Sequence, residues 1–99
     1  MPGGKYEVRW LVKALKNLEA EAEYIARDNP AAAAAVVTKI MESVSNLVRH
    51  PSLGRPGRVP ETRELVIPET PYIVPYRVRG KSVEILRVFH ASRRWPKRF

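Results

Sequence analysis

The sequence predicts an α+β fold with its elements in the order β-α-α-β-β-β. Three observations predict it. The chain opens with a short alternating stretch, two stretches with helical spacing of apolar residues follow, and three strand-like stretches come after a loop rich in proline and glycine.

The first two elements are a strand and a helix. Residues Lys5 to Trp10, "KYEVRW", alternate between apolar and charged side chains, which is the pattern of a half-buried strand. From Leu11 the apolar spacing lengthens to three and four residues, which predicts an amphipathic helix ending near Arg27. No Ser, Thr or Asp caps the start of this helix. The apolar stripe consists of Leu15, Leu18, Ala22 and Ile25.

A second helix follows directly. In "DNP", Asn29 is a candidate N-cap and Pro30 occupies the first helical position, where its missing N–H costs nothing. The helix is expected to run to about Arg49, and its apolar stripe is expected to be buried against the sheet. Two helices joined by so few residues form an antiparallel hairpin. The stripe consists of Ala33, Val37, Ile40, Val44 and Leu47.

The last three strands follow the loop at residues 50–62, which holds three prolines and two glycines. They are expected at residues 63–67, 72–79 and 83–90, and Gly80 and Lys81 join the last two as a tight hairpin. Such a turn places Arg77 opposite Glu84, which predicts a cross-strand ion pair. Pro75 cannot donate to a ladder and therefore predicts an edge, a bulge or a register set by a longer turn.

The composition limits the class of protein. A chain of 99 residues is expected to form one domain over residues 1–99. The apolar run "PAAAAAVV" is too short to span a bilayer, so no membrane association is expected. The start "MPGGKYEV" has no apolar segment typical of secretion signals, so a cytoplasmic location is expected. With no cysteine and only His50 and His90, we expect no metal and no cofactor.

The charge is concentrated in the second half of the chain. Residues 1–50 hold seven Lys/Arg and six Asp/Glu, whereas residues 51–99 hold eleven and four, so the two halves carry +1 and +7. This asymmetry favours an anionic partner, either nucleic acid or an acidic protein. The alternative is a surface whose charge serves only solubility.

Several motifs resemble the RelE/ParE superfamily of bacterial toxins. They are the element order, the "HPSLGRPG" that closes the second helix, and "YIVPYRVRGKSVEILRVFHASRRWP". The most specific part is "VEILRVFH", which is similar to the last-strand signature of the ParE branch. The similarity covers nearly the whole chain.

The resemblance implies a small antiparallel sheet with a helical hairpin packed on one face. It also implies the toxin of a type II toxin–antitoxin module, silenced in a hetero-oligomer with a cognate acidic antitoxin. The RelE branch cuts messenger RNA in the ribosome, and the ParE branch poisons DNA gyrase. This chain departs from the RelE pattern in two places, since it has no tyrosine in its tail and no arginine immediately after His90. Gyrase poisoning is therefore expected, and ribosome-dependent mRNA cleavage is the alternative.

The alternative has three candidate catalytic residues, Arg63, Arg87 and His90. RNA cleavage without a metal needs a base, an acid and cations at the phosphate. Arg87 and His90 are three residues apart and face opposite sides of a regular strand, whereas Arg87 shares the parity of Val83, Ile85 and Phe89. A structural role for His90 would be a hydrogen bond to a neighbouring backbone carbonyl.

The basic residues of the second half are candidates for binding the target or nucleic acid. Tryptophan among arginines can stack on a base. Packing of Trp95 on the domain, with solvated arginines around it, is preferred, because burial of a tryptophan is stabilising. The candidate target-binding residues are Arg55, Arg58, Arg87, Arg93, Arg94 and Trp95.

An acidic antitoxin segment is expected to lay an amphipathic helix along apolar surface between the helices and the sheet. The hairpin residues expected to border that groove are Leu11, Leu18, Ile25 and Val36.

Overall fold

The computed structural model describes residues 5–99 of the chain. Its helices are α1 (Val12–Ala26) and α2 (Pro30–Ser45), and a single 3₁₀ turn, Asn46–Val48, extends α2. The strands are β1 (Glu7–Trp10), β2 (Arg55–Pro56), β3 (Arg63–Val66), β4 (Tyr72–Arg79), β5 (Ser82–Ile85) and β6 (Phe89–His90). The α+β class is confirmed, with the two helices packed as a hairpin on one face of the sheet. A single domain over residues 1–99 stays a prediction, because residues 1–4 lie outside the described residues.

The helical hairpin forms as its sequence predicts. Leu11 occupies the N-cap position of α1, and its side chain makes no capping hydrogen bond. At the start of α2, the Asn29 side chain accepts a hydrogen bond of 3.0 Å from the Ala32 N–H, and Pro30 is the first helical residue. The α-helix ends at Ser45, earlier than the predicted Arg49, because the chain tightens into the 3₁₀ turn.

The sheet is mixed, whereas the resemblance implied an antiparallel one. Over the described residues the strand order is β1-β5-β4-β3-β2, and β6 lies beside β4. Among the strand pairs of residues 5–99, β1–β5 is parallel, with Val8 opposite Val83, and the others are antiparallel. A parallel pair needs a long connection, and the chain between β1 and β5 includes both helices.

A bulge opposite Pro75 divides the predicted strand at residues 83–90 into β5 and β6. Before the bulge Ile85 pairs with Tyr76, and after it Phe89 pairs with Ile73, so the five residues 85–89 lie opposite the four residues 73–76 of β4. Pro75 has no N–H and can only accept, and its carbonyl takes the Leu86 N–H at 3.0 Å. Of the three interpretations of Pro75, the bulge is confirmed.

The core lies between the sheet and the hairpin. The α2 stripe is confirmed, with Ile40, Val44 and Leu47 at most 2% exposed, although Val37 is only half-buried. The buried stripe of α1 is shifted by about one residue from the predicted stripe, since Ala14 is fully buried and Leu15 is 48% exposed. The sheet contributes Leu65, Ile67, Tyr72, Val74, Tyr76, Val83, Ile85 and Val88 to the core.

The loop "HPSLGRPG" is held to the sheet by Tyr76. The Tyr76 hydroxyl donates to the Pro51 carbonyl at 2.6 Å and accepts the Gly54 N–H at 2.8 Å. A Cβ at Gly54 would lie 2.7 Å from Tyr76 Cε1, so this close approach requires glycine. The sequence did not predict strand β2, which follows in the same loop, because two residues show no alternation.

The second helix is more apolar than expected. Pro30–Val48 is long and apolar enough, by length and composition alone, to cross a membrane. A core helix of a globular domain passes the same test, so the expectation of no membrane-spanning segment stays a prediction. In the structure one face of this segment, with Ile40, Val44 and Leu47, is part of the core.

Candidate functional site

The face of the sheet opposite the helices, here called the open face, carries a row of charges. The register places Arg9, Glu84 and Arg77 side by side on β1, β5 and β4. Arg77 Nε donates to Glu84 Oε1 at 2.6 Å, which confirms the predicted ion pair. This hydrogen bond, with nearby arginines, holds the pKa of Glu84 below its usual value.

A second cluster surrounds Glu64, which is buried on β3. Arg55 donates to its carboxylate at 3.1–3.2 Å, and Arg58 donates its backbone N–H at 2.8 Å and its guanidinium at 3.0 Å. Burial raises the pKa of Glu64, but the hydrogen bonds from Arg58 and Arg55 outweigh burial, and the pKa lies below its usual value. Two predicted target-binding arginines are therefore paired within the chain.

The tail lies across the open face. The Trp95 ring packs on Phe89, with centroids 4.8 Å apart, and the Arg58 guanidinium lies 3.7 Å from the Trp95 ring centroid. The Phe99 ring also lies beside the Phe89 ring, with centroids 6.1 Å apart. Trp95 thus packs on the domain, as preferred from the sequence, and is half-buried.

A third ion pair fixes the tail to the helices. Glu21 on α1 is 6% exposed, accepts the Tyr72 hydroxyl at 3.0 Å and accepts Arg93 Nη1 at 2.6 Å. Burial and the hydrogen bond to Glu21 raise the pKa of Tyr72 to about 12. Sequence reasoning missed Glu21, although its position continues the spacing of Ala14 and Leu18, and a glutamate on a buried stripe signals a polar partner.

His90 lies on the helix side of the sheet. It pairs with Tyr72, and the two rings meet edge to face with centroids 5.5 Å apart. Its Nδ1 accepts the Ser92 N–H at 3.2 Å and lies 2.8 Å from Ser92 Oγ. The predicted structural contact to a backbone carbonyl is wrong, because the partner is a backbone N–H.

Arg87 lies on the open face, with its guanidinium 5.4 Å from the Phe89 ring centroid. Arg87 and His90 therefore face opposite sides, as predicted. The expected shared face of Arg87 with Val83 and Ile85 is wrong, because the bulge lies between them.

Arg63 lies elsewhere again. It pairs with Tyr76 on the helix side of the sheet, and its Nη1 donates to the Gly54 carbonyl at 2.8 Å. Over the described residues, the structure places Arg63, Arg87 and His90 in three different surroundings. It does not assemble them into one cluster.

The comparisons with known proteins give the family. Residues 8–95 match the model of the ParE toxin family, described as the ParE toxin of the type II toxin–antitoxin system parDE. The chain belongs to the ParE toxin family. It is thus a toxin of a type II toxin–antitoxin system within the RelE/ParE superfamily.

Known relatives of this ParE-family toxin span nearly its whole length. It is 48% identical over 90 residues to Y4kP of Sinorhizobium fredii, which covers 91% of this chain and 93% of the relative. It is 31% identical over 87 residues to toxin RelE2 of Caulobacter vibrioides, with 88% and 97% covered.

Solved structures similar to the toxin include chains of two toxin–antitoxin systems. A chain of the chromosomal ParDE toxin–antitoxin system from P. aeruginosa is 32% identical, with a TM-score of 0.80 over 89% of this chain and 98% of that one. A chain of the toxin–antitoxin complex RelBE2 from Mycobacterium tuberculosis is 30% identical, with a TM-score of 0.60 over 87% and 98%.

The ParE-family toxin presents the predicted antitoxin-binding residues in two settings. Leu18, Ile25 and Val36 are half-buried and pack against the core from the hairpin. Leu11 instead lines a cavity on the open face. Contact of these four residues with an antitoxin stays a prediction.

Proposed function

We propose that this ParE-family toxin arrests growth by binding and poisoning DNA gyrase rather than by catalysing a reaction. It acts in the cytoplasm, and a cognate acidic antitoxin silences it in a hetero-oligomer. The toxin–antitoxin complexes among its structural relatives support the antitoxin part of this proposal.

The separation of Arg63, Arg87 and His90 carries the proposal. General acid–base cleavage of RNA requires an acid, a base and a phosphate clamp around one reacting bond. Arg63 donates to the loop carbonyl of Gly54, Arg87 faces the opposite side from His90, and His90 Nδ1 is held by Ser92. A binding toxin needs no such cluster, only a complementary surface.

The comparisons favour the same branch. The family model is that of ParE, and the TM-score is higher for the ParDE chain, 0.80, than for the RelBE2 chain, 0.60. The 31% identity to toxin RelE2 favours messenger RNA cleavage in the ribosome as the second candidate.

Because of the ion pairs, fewer of the predicted target-binding residues are available to a partner. Arg55, Arg58 and Arg93 each neutralise a buried glutamate, so they are less available to a partner. Arg87 and Arg94 have no ion-pair partner over residues 5–99. These two arginines are the strongest candidates for contact with gyrase.

The test is inhibition of gyrase supercoiling by the purified toxin. Arg94→Glu, at an exposed position of the tail, should weaken the inhibition about tenfold or more, because an acidic group would face the acidic or nucleic-acid target. The matched control is Arg27→Glu, an exposed charge reversal at the tip of the hairpin, which should change inhibition little. Arg93 is unsuitable for this test, because its reversal would place a second carboxylate beside Glu21.

A different outcome would make the protein an enzyme. Discrete cuts in messenger RNA on translating ribosomes, abolished by His90→Ala in a folded variant, with gyrase supercoiling unaffected, would establish the ribonuclease alternative.

A further inference from the structure

A cavity of about 280 Å³ lies on the open face where α1 begins. The bulge forms one side of it, since the extra residue there directs Leu86 and Arg87 toward the cavity. The tail closes another side with Phe99. The lining residues are Leu11, Val12, Lys13, Arg77, Leu86, Arg87 and Phe99.

Arg87 carries the shielded polar atom of this cavity that lacks a hydrogen-bond partner. Its Nε is shielded from solvent and has no hydrogen-bond acceptor within the described part of the chain. Its guanidinium carbon lies 5.4 Å from the Phe89 ring centroid, and over residues 5–99 it forms no ion pair. A shielded donor without an acceptor is unfavourable, so an incoming acceptor at Arg87 would recover a hydrogen bond as well as a charge interaction.

Two further features make the same place attractive to an anion. Lys13 is exposed on the cavity rim and, over residues 5–99, forms no ion pair. The first turn of α1, which contains Val12 and Lys13, has neither a side-chain cap nor an acidic residue, so its positive end is uncompensated. Arg77 contributes less, because Glu84 already neutralises it.

The rest of the lining is apolar. Leu11, Val12, Leu86 and Phe99 make up four of the seven lining residues, and Leu86 is only 4% exposed. Such apolar walls offer few hydrogen-bond donors to a phosphate of a nucleic-acid backbone. A carboxylate on a short aliphatic arm, next to an apolar side chain, matches both the charge and the walls.

We propose that this cavity binds an acidic side chain of a peptide partner at Arg87 and Lys13, with a neighbouring apolar side chain resting on Leu11, Leu86 and Phe99. The inference rests on the proposed function, which supplies an acidic antitoxin segment as the partner. It deepens that function by placing one contact of the segment on the open face, away from the outer side of the hairpin.

The experiment is an NMR titration of the ¹⁵N-labelled full chain with two blocked dipeptides, N-acetyl-Leu-Glu-amide and its neutral isostere N-acetyl-Leu-Gln-amide. The glutamate dipeptide should shift the Arg87 Nε–H signal and the backbone amides of Val12 and Lys13 in a saturable manner. The glutamine dipeptide should not saturate over the same range. This comparison uses the unmodified protein and does not depend on a variant that folds.

Two variants then test whether Arg87 binds the glutamate dipeptide. Arg87→Met keeps an unbranched chain for packing but removes the charge and the Nε–H, and should weaken binding of the glutamate dipeptide about tenfold or more. Lys16→Met removes an exposed charge one turn along α1 and outside the cavity lining, and should leave binding nearly unchanged.

Three results would overturn the inference. They are equal shifts with both dipeptides, shifts confined to residues away from the cavity, or inorganic phosphate saturating the same signals at lower concentration than the glutamate dipeptide. Gyrase inhibition by the same preparation is measured without any peptide. A failed titration with intact inhibition therefore rejects the cavity alone, whereas lost inhibition with an intact titration rejects the gyrase target alone.

Discussion

At the scale of single residues, two buried glutamates determine where three arginines of this toxin lie. Glu64 and Glu21 are buried, and burying a carboxylate is unfavourable unless cations and hydrogen bonds compensate it. Arg55 and Arg58 compensate Glu64, and Arg93 with the Tyr72 hydroxyl compensates Glu21. Three of the eleven basic residues of 51–99 therefore hold the loop and the tail in place.

Tyr72→Phe tests the cluster around Glu21. At neutral pH the variant should be less stable by about 1.5–3 kcal/mol, the usual contribution of a hydrogen bond to a charged group. Because the pKa of Tyr72 is about 12 in the folded state and about 10 when unfolded, the protonated hydroxyl stabilises the fold fully below pH 10. This contribution, about 2–3 kcal/mol for a two-unit shift, is lost as pH rises from 10 to 12.

The measurement is the free energy of unfolding of both proteins in denaturant from pH 8 to 12. The stability difference between them should shrink across pH 10–12. The pKa of Tyr76 is also raised, but Tyr76 is present in both proteins and its titration cancels. A difference that stayed constant over this range would contradict the raised pKa that burial and the hydrogen bond to Glu21 give Tyr72.

At the scale of elements, the bulge opposite Pro75 determines which side chains reach each face. A one-residue shift in register moves every following side chain to the other face of the sheet. The extra residue therefore lets Ile85 and Val88, at an odd spacing, both lie in the core. It leaves Arg87 on the open face and His90 beside Tyr72.

The helix α2 joins the sheet through its apolar stripe, and Ile40→Ala tests that packing. Ile40 is fully buried, so its truncation should destabilise the toxin by about 2–5 kcal/mol. Met41→Ala, at the adjacent position that is 44% exposed, should change stability by less than about 0.5 kcal/mol. Chemical denaturation of the two variants and the parent gives the comparison. Similar midpoints for the Ile40 variant and the parent would show that the assigned helix face is wrong.

At the scale of the whole molecule, the helical hairpin and the open face are separate surfaces on opposite sides of the sheet. The hairpin exposes Leu15, Tyr24 and Met41, whereas the tail partly covers the open face through Trp95 and Phe99. An antitoxin that contacts both sides would have to wrap around the toxin.

Hydrogen exchange of the toxin with and without the acidic antitoxin tests the hairpin contact. Segments across residues 11–49, which include Leu11, Leu18, Ile25 and Val36, should gain protection in the complex, because a bound helix shields the hairpin and suppresses its local opening. Binding should also weaken as salt concentration rises, given the net charge of +8. Unchanged exchange across residues 11–49 in a saturated complex would exclude the hairpin as the docking surface.

The sequence by itself determined the helices, the Asn29 cap, the β4–β5 hairpin and the Arg77–Glu84 pair. Each depends on residues within about one helical turn or across one tight turn, so local spacing suffices to predict it. The resemblance in "VEILRVFH" and "HPSLGRPG" likewise indicated the family, because these motifs are contiguous.

Only the tertiary structure decided the parallel pairing of β1, the faces reached after the bulge and the partners of the buried glutamates. Glu21 and Arg93 are 72 residues apart, and no local pattern joins them. The bulge was one of three interpretations of Pro75, and choosing among them required the register on both of its sides. Long-range pairing depends on how all the elements pack together, which is why the candidate site changed more than the fold did.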